Sequence, residues 1–130
     1  METDFQVSSE RMKSQKLDYH TTRQWKGQRI SALSLIFLGI WFIVEVLRHA
    51  QEDYSVVLAW AGNPWIGIAL ASLIGMVFYH SALGLQVVVE DYVRNSNLQK
   101  ILISQVKILS IIMTILSWVF IIRIAMIANE

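Results

Sequence analysis

Residues 64–89 read PWIGIALASLIGMVFYHSALGLQVVV, 26 residues without a single Asp, Glu, Lys or Arg. A helix needs roughly 18–20 predominantly apolar residues to cross the ~30 Å hydrocarbon core of a bilayer. The stretch exceeds that length. On either side of it, Ile30–Leu47 and Ile101–Ile127 meet the same requirement, the latter interrupted only by the charges of Lys107 and Arg123. Lipid offers the backbone no hydrogen-bond partner, so each span has to be a helix. The expected fold is an all-α membrane protein of three transmembrane helices, spanning about residues 30–47, 64–89 and 101–127. A hydrophobic content of 55% and a mean hydropathy of +0.47 set the chain apart from ordinary soluble domains.

Eleven basic residues nearly balance ten acidic ones, but they are unevenly placed. Arg11, Lys13, Lys16, Arg23, Lys26 and Arg29 precede the first span, and Arg94 and Lys100 lie between the second and third. The loop from Arg48 to Asn63 carries Glu52 and Asp53. By the positive-inside rule the N-terminus belongs on the cytoplasmic or matrix side and the C-terminus outside. The absence of cysteine excludes disulfides, a thiolate nucleophile and iron–sulfur ligation by this chain. No nucleic-acid partner is expected.

Residues 1–22 are polar and mixed in charge, and are expected to form a flexible tail ahead of a three-helix anchor domain over residues 23–130. The tail has no apolar signal-peptide core, and its acidic residues do not suit a transit peptide. Trp25, Lys26 and Arg29 are what a membrane boundary requires, an aromatic ring at headgroup level and cations that reach the water. Arg29 has a second reading, as counter-charge for an anionic ligand. Glu45 and Arg48, three apart, are expected to pair with each other. Pro64 suits a first helical turn and Trp65 an interface.

Within the second span, Gly67, Ala71 and Gly75 form a row of small residues that lets a neighbouring helix approach closely. Another stripe runs through Met76, His80, Gly84, Val87 and Asp91. Asp91 lies about 20° from His80 around the axis and about 16 Å along it. Gly84, one turn from His80, removes bulk beside the imidazole. An ionisable side chain at membrane depth is a functional candidate because leaving it unpaired is costly. His80 has three readings: a hydrogen bond to a neighbouring helix, a step in a proton relay, or an axial haem ligand whose opposite ligand comes from another chain. Lys107, Ser110, Thr114 and Ser117 share one face of the third span and should face protein or a cavity. Lys107 and Arg123 also suit snorkelling to the two surfaces.

The run HSALGLQVVVEDYV over residues 80–93, with Arg29, Ser31 and Ala32 opening the first span, resembles the small hydrophobic membrane-anchor subunit of succinate dehydrogenase, respiratory complex II. His80, Gly84, Asp91 and Tyr92 stand at the spacings of that family's second helix. The resemblance implies a b-type haem shared with a second, cytochrome b anchor subunit, with His80 as one axial iron ligand and Gly84 packed against the macrocycle. It implies that Tyr92 hydrogen-bonds a ubiquinone carbonyl, supported by Asp91, and that Arg29 offsets charge on a haem propionate or on reduced quinone. It also implies an iron–sulfur subunit and a flavoprotein subunit as partners, besides membrane lipid.

In that frame the chain is a non-catalytic subunit of a succinate:quinone oxidoreductase, in the bacterial inner membrane or the mitochondrial one. It has too few polar groups to oxidise succinate alone. Two other readings are an anchor of a fumarate reductase, running in the opposite direction, and a non-redox three-span scaffold. Reporter fusions test the topology common to all three: a fusion near Arg94 should report the cytoplasmic side and one near Asp53 the outside. The opposite pattern overturns the orientation.

Overall fold

A computed structural model describes residues 1, 3–15 and 22–130 of the chain. Four helices follow in order: α1 Glu2–His49, α2 Tyr54–Ala61, α3 Pro64–Tyr92 and α4 Ser96–Ala128. Three segments are long and apolar enough to cross a membrane, Thr22–His49, Pro64–Tyr92 and Ser96–Ala128. This is the expected three-span, all-helical architecture. At 33 residues, α4 is about 50 Å long, so its ends project or it tilts.

Helix boundaries follow from local chemistry. Asn63 caps α3 by accepting from the Trp65 amide at 2.9 Å, with Pro64 in the first turn, where no amide hydrogen is needed. Asn95 caps α4 by accepting from the amides of Asn97 and Leu98. Between α3 and α4 only Val93, Arg94 and Asn95 are non-helical, which forces an antiparallel pair. Gln99 reinforces that turn by donating from Nε2 to the Glu90 carbonyl at 3.2 Å.

Helix α3 is central, with α1 and α4 both packed along it. The pairs Ser31–His80 and Gln24–Gln86 set the α1–α3 register, and Ile121–Gly67 and Trp118–Ala71 set that of α3–α4. Among the described residues the buried ones are Ser31, Gly62, Gly67 and Ala82, all small. In lipid an apolar side chain gains nothing by facing another helix rather than a hydrocarbon tail, so contact is set by how closely backbones approach. The small-residue row does this as expected: Gly67 faces Ile121, and Gly75 faces Trp118 and Thr114. Trp118 adds a hydrogen bond from its Nε1 to the Ala71 carbonyl at 3.0 Å.

Two features add to the sequence expectation. The described residues 3–15 are helical, because no glycine or proline occurs before Gly27 and local contacts such as Lys13–Glu10 at 3.6 Å support the turns. The Lys16 and Asp18 charges of the expected tail lie outside the described residues. The loop after α1 contains α2, whose apolar YSVVLAWA run gives it a face to pack against α3 and α4. Gly62, just after it, sits so close to Ala128 that a side chain there would collide with the Ala128 Cβ.

At this end of the bundle Glu45 pairs with Arg48 at 3.5 Å, as its spacing predicts. Its carboxylate also accepts from Trp60 Nε1 at 3.0 Å, and His49 stacks on the Trp60 ring with centroids 4.8 Å apart. That cluster ties α2 to the end of α1. Packing of α3 on α4 can be tested at Gly67, where a Cβ would make an ordinary 3.5 Å contact with Ile121. Gly67→Ala should be tolerated. Gly67→Leu should overpack the contact by roughly 1–3 kcal/mol and lower the Tm of the protein in mild detergent.

Candidate functional site

On α1, the residues that meet α3 near the cationic end of the bundle are polar or small: Gln24, Gly27 and Ser31. Gly27 approaches the Tyr79 hydroxyl closely there, since a Cβ would lie 2.8 Å from its oxygen and would make the phenol shift. Ser31 is 1% exposed and marks the tightest point of the contact. It lies where the Lys26–Arg29 segment gives way to the apolar Ile30–Leu47 run. His80 is level with that junction, two residues past the midpoint of α3 on the side of its cationic end.

The Ser31 hydroxyl is 3.0 Å from the Gln28 carbonyl and 3.0 Å from His80 Nδ1. A hydroxyl has one proton to give and lone pairs to receive another. Donation to Gln28 leaves the oxygen as acceptor for His80 Nδ1–H. With the hydroxyl proton on the Gln28 carbonyl, the imidazole carries its proton on Nδ1 and presents an open lone pair on Nε2; with the hydroxyl turned to Nδ1, the proton sits on Nε2 instead. The first arrangement is what a metal-ligating histidine needs, because the bond at one nitrogen orients the ring and leaves the other to bind.

Gly84 lies one turn further along α3, and a Cβ built on it would have nothing within 4 Å. The face beside the imidazole is therefore open for a flat group. Asp91 and Tyr92 are the last two residues of α3 and both are exposed, Tyr92 at 83%. Tyr92 is about 18 Å along the helix from His80 and about 120° around it. The chain thus presents an imidazole at one level and a phenol with a carboxylate at its end, without joining them in one pocket.

Arg29 is exposed and its guanidinium stacks over Trp25, 4.2 Å from the ring centroid. It is two residues from Ser31, about 200° around α1, so the two occupy opposite sides of that helix. The structure does not bring Arg29 to His80. Ser31 is the functional residue whose role sequence reasoning missed. It appeared only as part of the Arg29–Ser31–Ala32 opening, and 49 positions separate it from its partner.

Comparisons with known proteins point one way. The family described as succinate dehydrogenase/fumarate reductase transmembrane subunit matches residues 8–124. A succinate dehydrogenase hydrophobic membrane anchor subunit of Rickettsia bellii is 30% identical over 112 residues, covering 86% of this chain and 90% of that protein. The proteins of the same name from Rickettsia conorii and Rickettsia prowazekii are each 28% identical, over 89% of this chain and 92% of their own length. No solved structure matches the chain significantly.

The tautomer can be read directly. In protein carrying ¹⁵N-labelled histidine in bilayers, the His80 signal should report protonation on Nδ1. Ser31→Ala should leave that nitrogen without its acceptor and give a mixture of tautomers. An unchanged signal in the variant removes Ser31 as the group that orients the ring.

Proposed function

Because the chain belongs to the succinate dehydrogenase/fumarate reductase transmembrane subunit family, we propose that it is the small hydrophobic anchor of a succinate:quinone oxidoreductase in a bacterial inner membrane. His80 would bind haem b iron through Nε2, and Tyr92 with Asp91 would form part of a ubiquinone-reduction site. The observation that carries the reading is the Ser31–His80 bond, which leaves Nε2 free beside the open flank of Gly84. An imidazole with this donor set and this clearance fits a haem.

When bound, haem b supplies a one-electron store close to the quinone. Ser31 holds the ring plane, and Gly84 leaves room for the macrocycle edge. A second anchor subunit would contribute the opposite axial ligand, since His80 is this chain's candidate at that face. Arg29 serves as a counter-charge only for an anionic group that approaches α1 on the side away from Ser31, where it is stacked on Trp25.

Reducing a quinone to a quinol takes two electrons and two protons. The electrons would arrive from an iron–sulfur subunit, fed by a flavoprotein subunit that oxidises succinate. Tyr92 and Asp91 sit at the cationic end of the bundle, which the positive-inside rule turns toward the cytoplasm and hence toward those soluble partners. The Tyr92 hydroxyl would donate to a quinone carbonyl and stabilise the charge that builds on its oxygen. Asp91, exposed beside it, is placed to pass protons from water. Succinate oxidation rather than fumarate reduction is favoured by the names of the curated relatives, each a succinate dehydrogenase subunit.

The purified complex tests the assignment. His80→Ala should abolish or destabilise the b-type absorption while succinate oxidation with artificial acceptors survives. Retention of the native spectrum removes His80 as a ligand. Tyr92→Phe, at matched haem content, should lower quinone turnover ten- to a hundredfold, about 1–3 kcal/mol of lost stabilisation. Wild-type turnover in that variant leaves Tyr92 as an interfacial aromatic.

A further inference from the structure

A second site lies on another side of α3. Tyr79 and Gly84 are five residues apart, about 140° around the helix, so a cavity at Tyr79 is separate from the open flank of His80. Between α3 and α4 runs an apolar groove of about 480 Å³, lined by Gly75, Ala82, Leu83, Ile111 and Trp118. Its mouth carries Tyr79 and Lys107. There it joins a polar pocket of about 180 Å³ that shares Tyr79, Leu83 and Lys107 and adds Arg23, Gln24 and Gln86. The two adjoin at Tyr79, Leu83 and Lys107, which sets a cationic, amide-lined head beside an apolar trough.

Three observations define what fits it. Neither Arg23 nor Lys107 has a carboxylate within 4.0 Å among the described residues, so two cations at the head are uncompensated. Gln24 Nε2 is buried without a hydrogen-bond partner, a donor left waiting for an acceptor. The nearby acid, Glu90, is engaged by Gln86 Nε2 at 2.7 Å, one turn beyond the pocket on α3. Below the head, from Lys107 to Trp118, the trough descends for about 16 Å, the depth of one leaflet. On α4, Ile108–Ile122 carries no charge, so the trough below Lys107 is uncharged along its whole length.

We propose that this cavity binds one anionic phospholipid, its phosphate held by Arg23, Lys107 and the Gln24 amide and one acyl chain lying in the α3–α4 groove. Free phosphate would leave the trough unused, and a zwitterionic lipid would bring its own ammonium to a head that already holds two cations, whereas an anionic lipid brings net negative charge. Bound there, the lipid bridges the start of α1 to α3 and α4, which among the spans otherwise meet chiefly through α3.

The test uses the intact complex in mild detergent. Native mass spectrometry with added phosphatidylglycerol or phosphatidylcholine should show one retained phosphatidylglycerol that the Arg23→Gln/Lys107→Gln double variant binds roughly tenfold or more weakly. The haem spectrum should stay the same in both. Equal retention by wild type and variant, or equal retention of phosphatidylcholine, overturns the proposal. Displacement by millimolar inorganic phosphate does so too, since it makes the head alone the site. Should the double variant fail to assemble, a photoactivatable phosphatidylglycerol on the wild-type complex decides. Adducts on α4 between Lys107 and Trp118 support the site. A cross-link from Ile111 to another polypeptide, with no lipid adduct, shows a partner helix in the groove and overturns it.

Discussion

Every polar group in this chain that lies at membrane depth has to find its partner inside the protein, because the surrounding solvent offers none. That constraint makes the spans helices, and it then selects which helix faces meet. The Ser31 hydroxyl shares a hydrogen bond with His80 Nδ1, and the Trp118 indole donates to the Ala71 carbonyl. Thr114 and Ser117 return their hydroxyls to carbonyls one turn back on their own helix. Interhelical polar contacts are few, and they pin the register of α3 against both neighbours.

Close packing of small residues does the rest. Ser31, Gly67 and Ala82 are buried where helix surfaces approach, while large apolar residues such as Phe37, Ile68 and Phe120 point outward. In water that outward surface would be an interaction liability, and in a bilayer it is the solvated face. The same economy leaves voids wherever small side chains are not matched by large ones. Gly84 keeps one side of α3 clear beside the imidazole, and Gly75 with Ala82 keeps the α3–α4 groove open on another side. One helix therefore presents an open flank beside the imidazole and, on another side, an apolar groove.

Polar function is concentrated at one end. Arg23, Gln24, Lys107, Asp91 and Tyr92 all lie toward the end where α1 enters the bundle and α3 turns into α4. The other end is closed by structural contacts, with Glu45 accepting from Trp60 and Arg48 and with Gly62 pressed against Ala128. In the proposed function, the polar end is the one that would face soluble electron donors.

The all-helical fold and the number of spans followed from the sequence alone. Hydrophobic run length is a local property, independent of how helices pack. The small-residue row on α3 and the Glu45–Arg48 pair were legible for the same reason, since helical periodicity places them. Helix α2 and the helical residues 3–15 were not, because an eight-residue apolar turn and a polar amphiphile carry no strong periodic signal. Only the tertiary structure decided that Ser31 meets His80, that Arg29 turns away from it, and that Arg23, Gln24 and Lys107 gather around one cavity. Those pairings join residues dozens of positions apart, and they depend on the rotation of one helix against another, which close packing of side chains determines and run length does not.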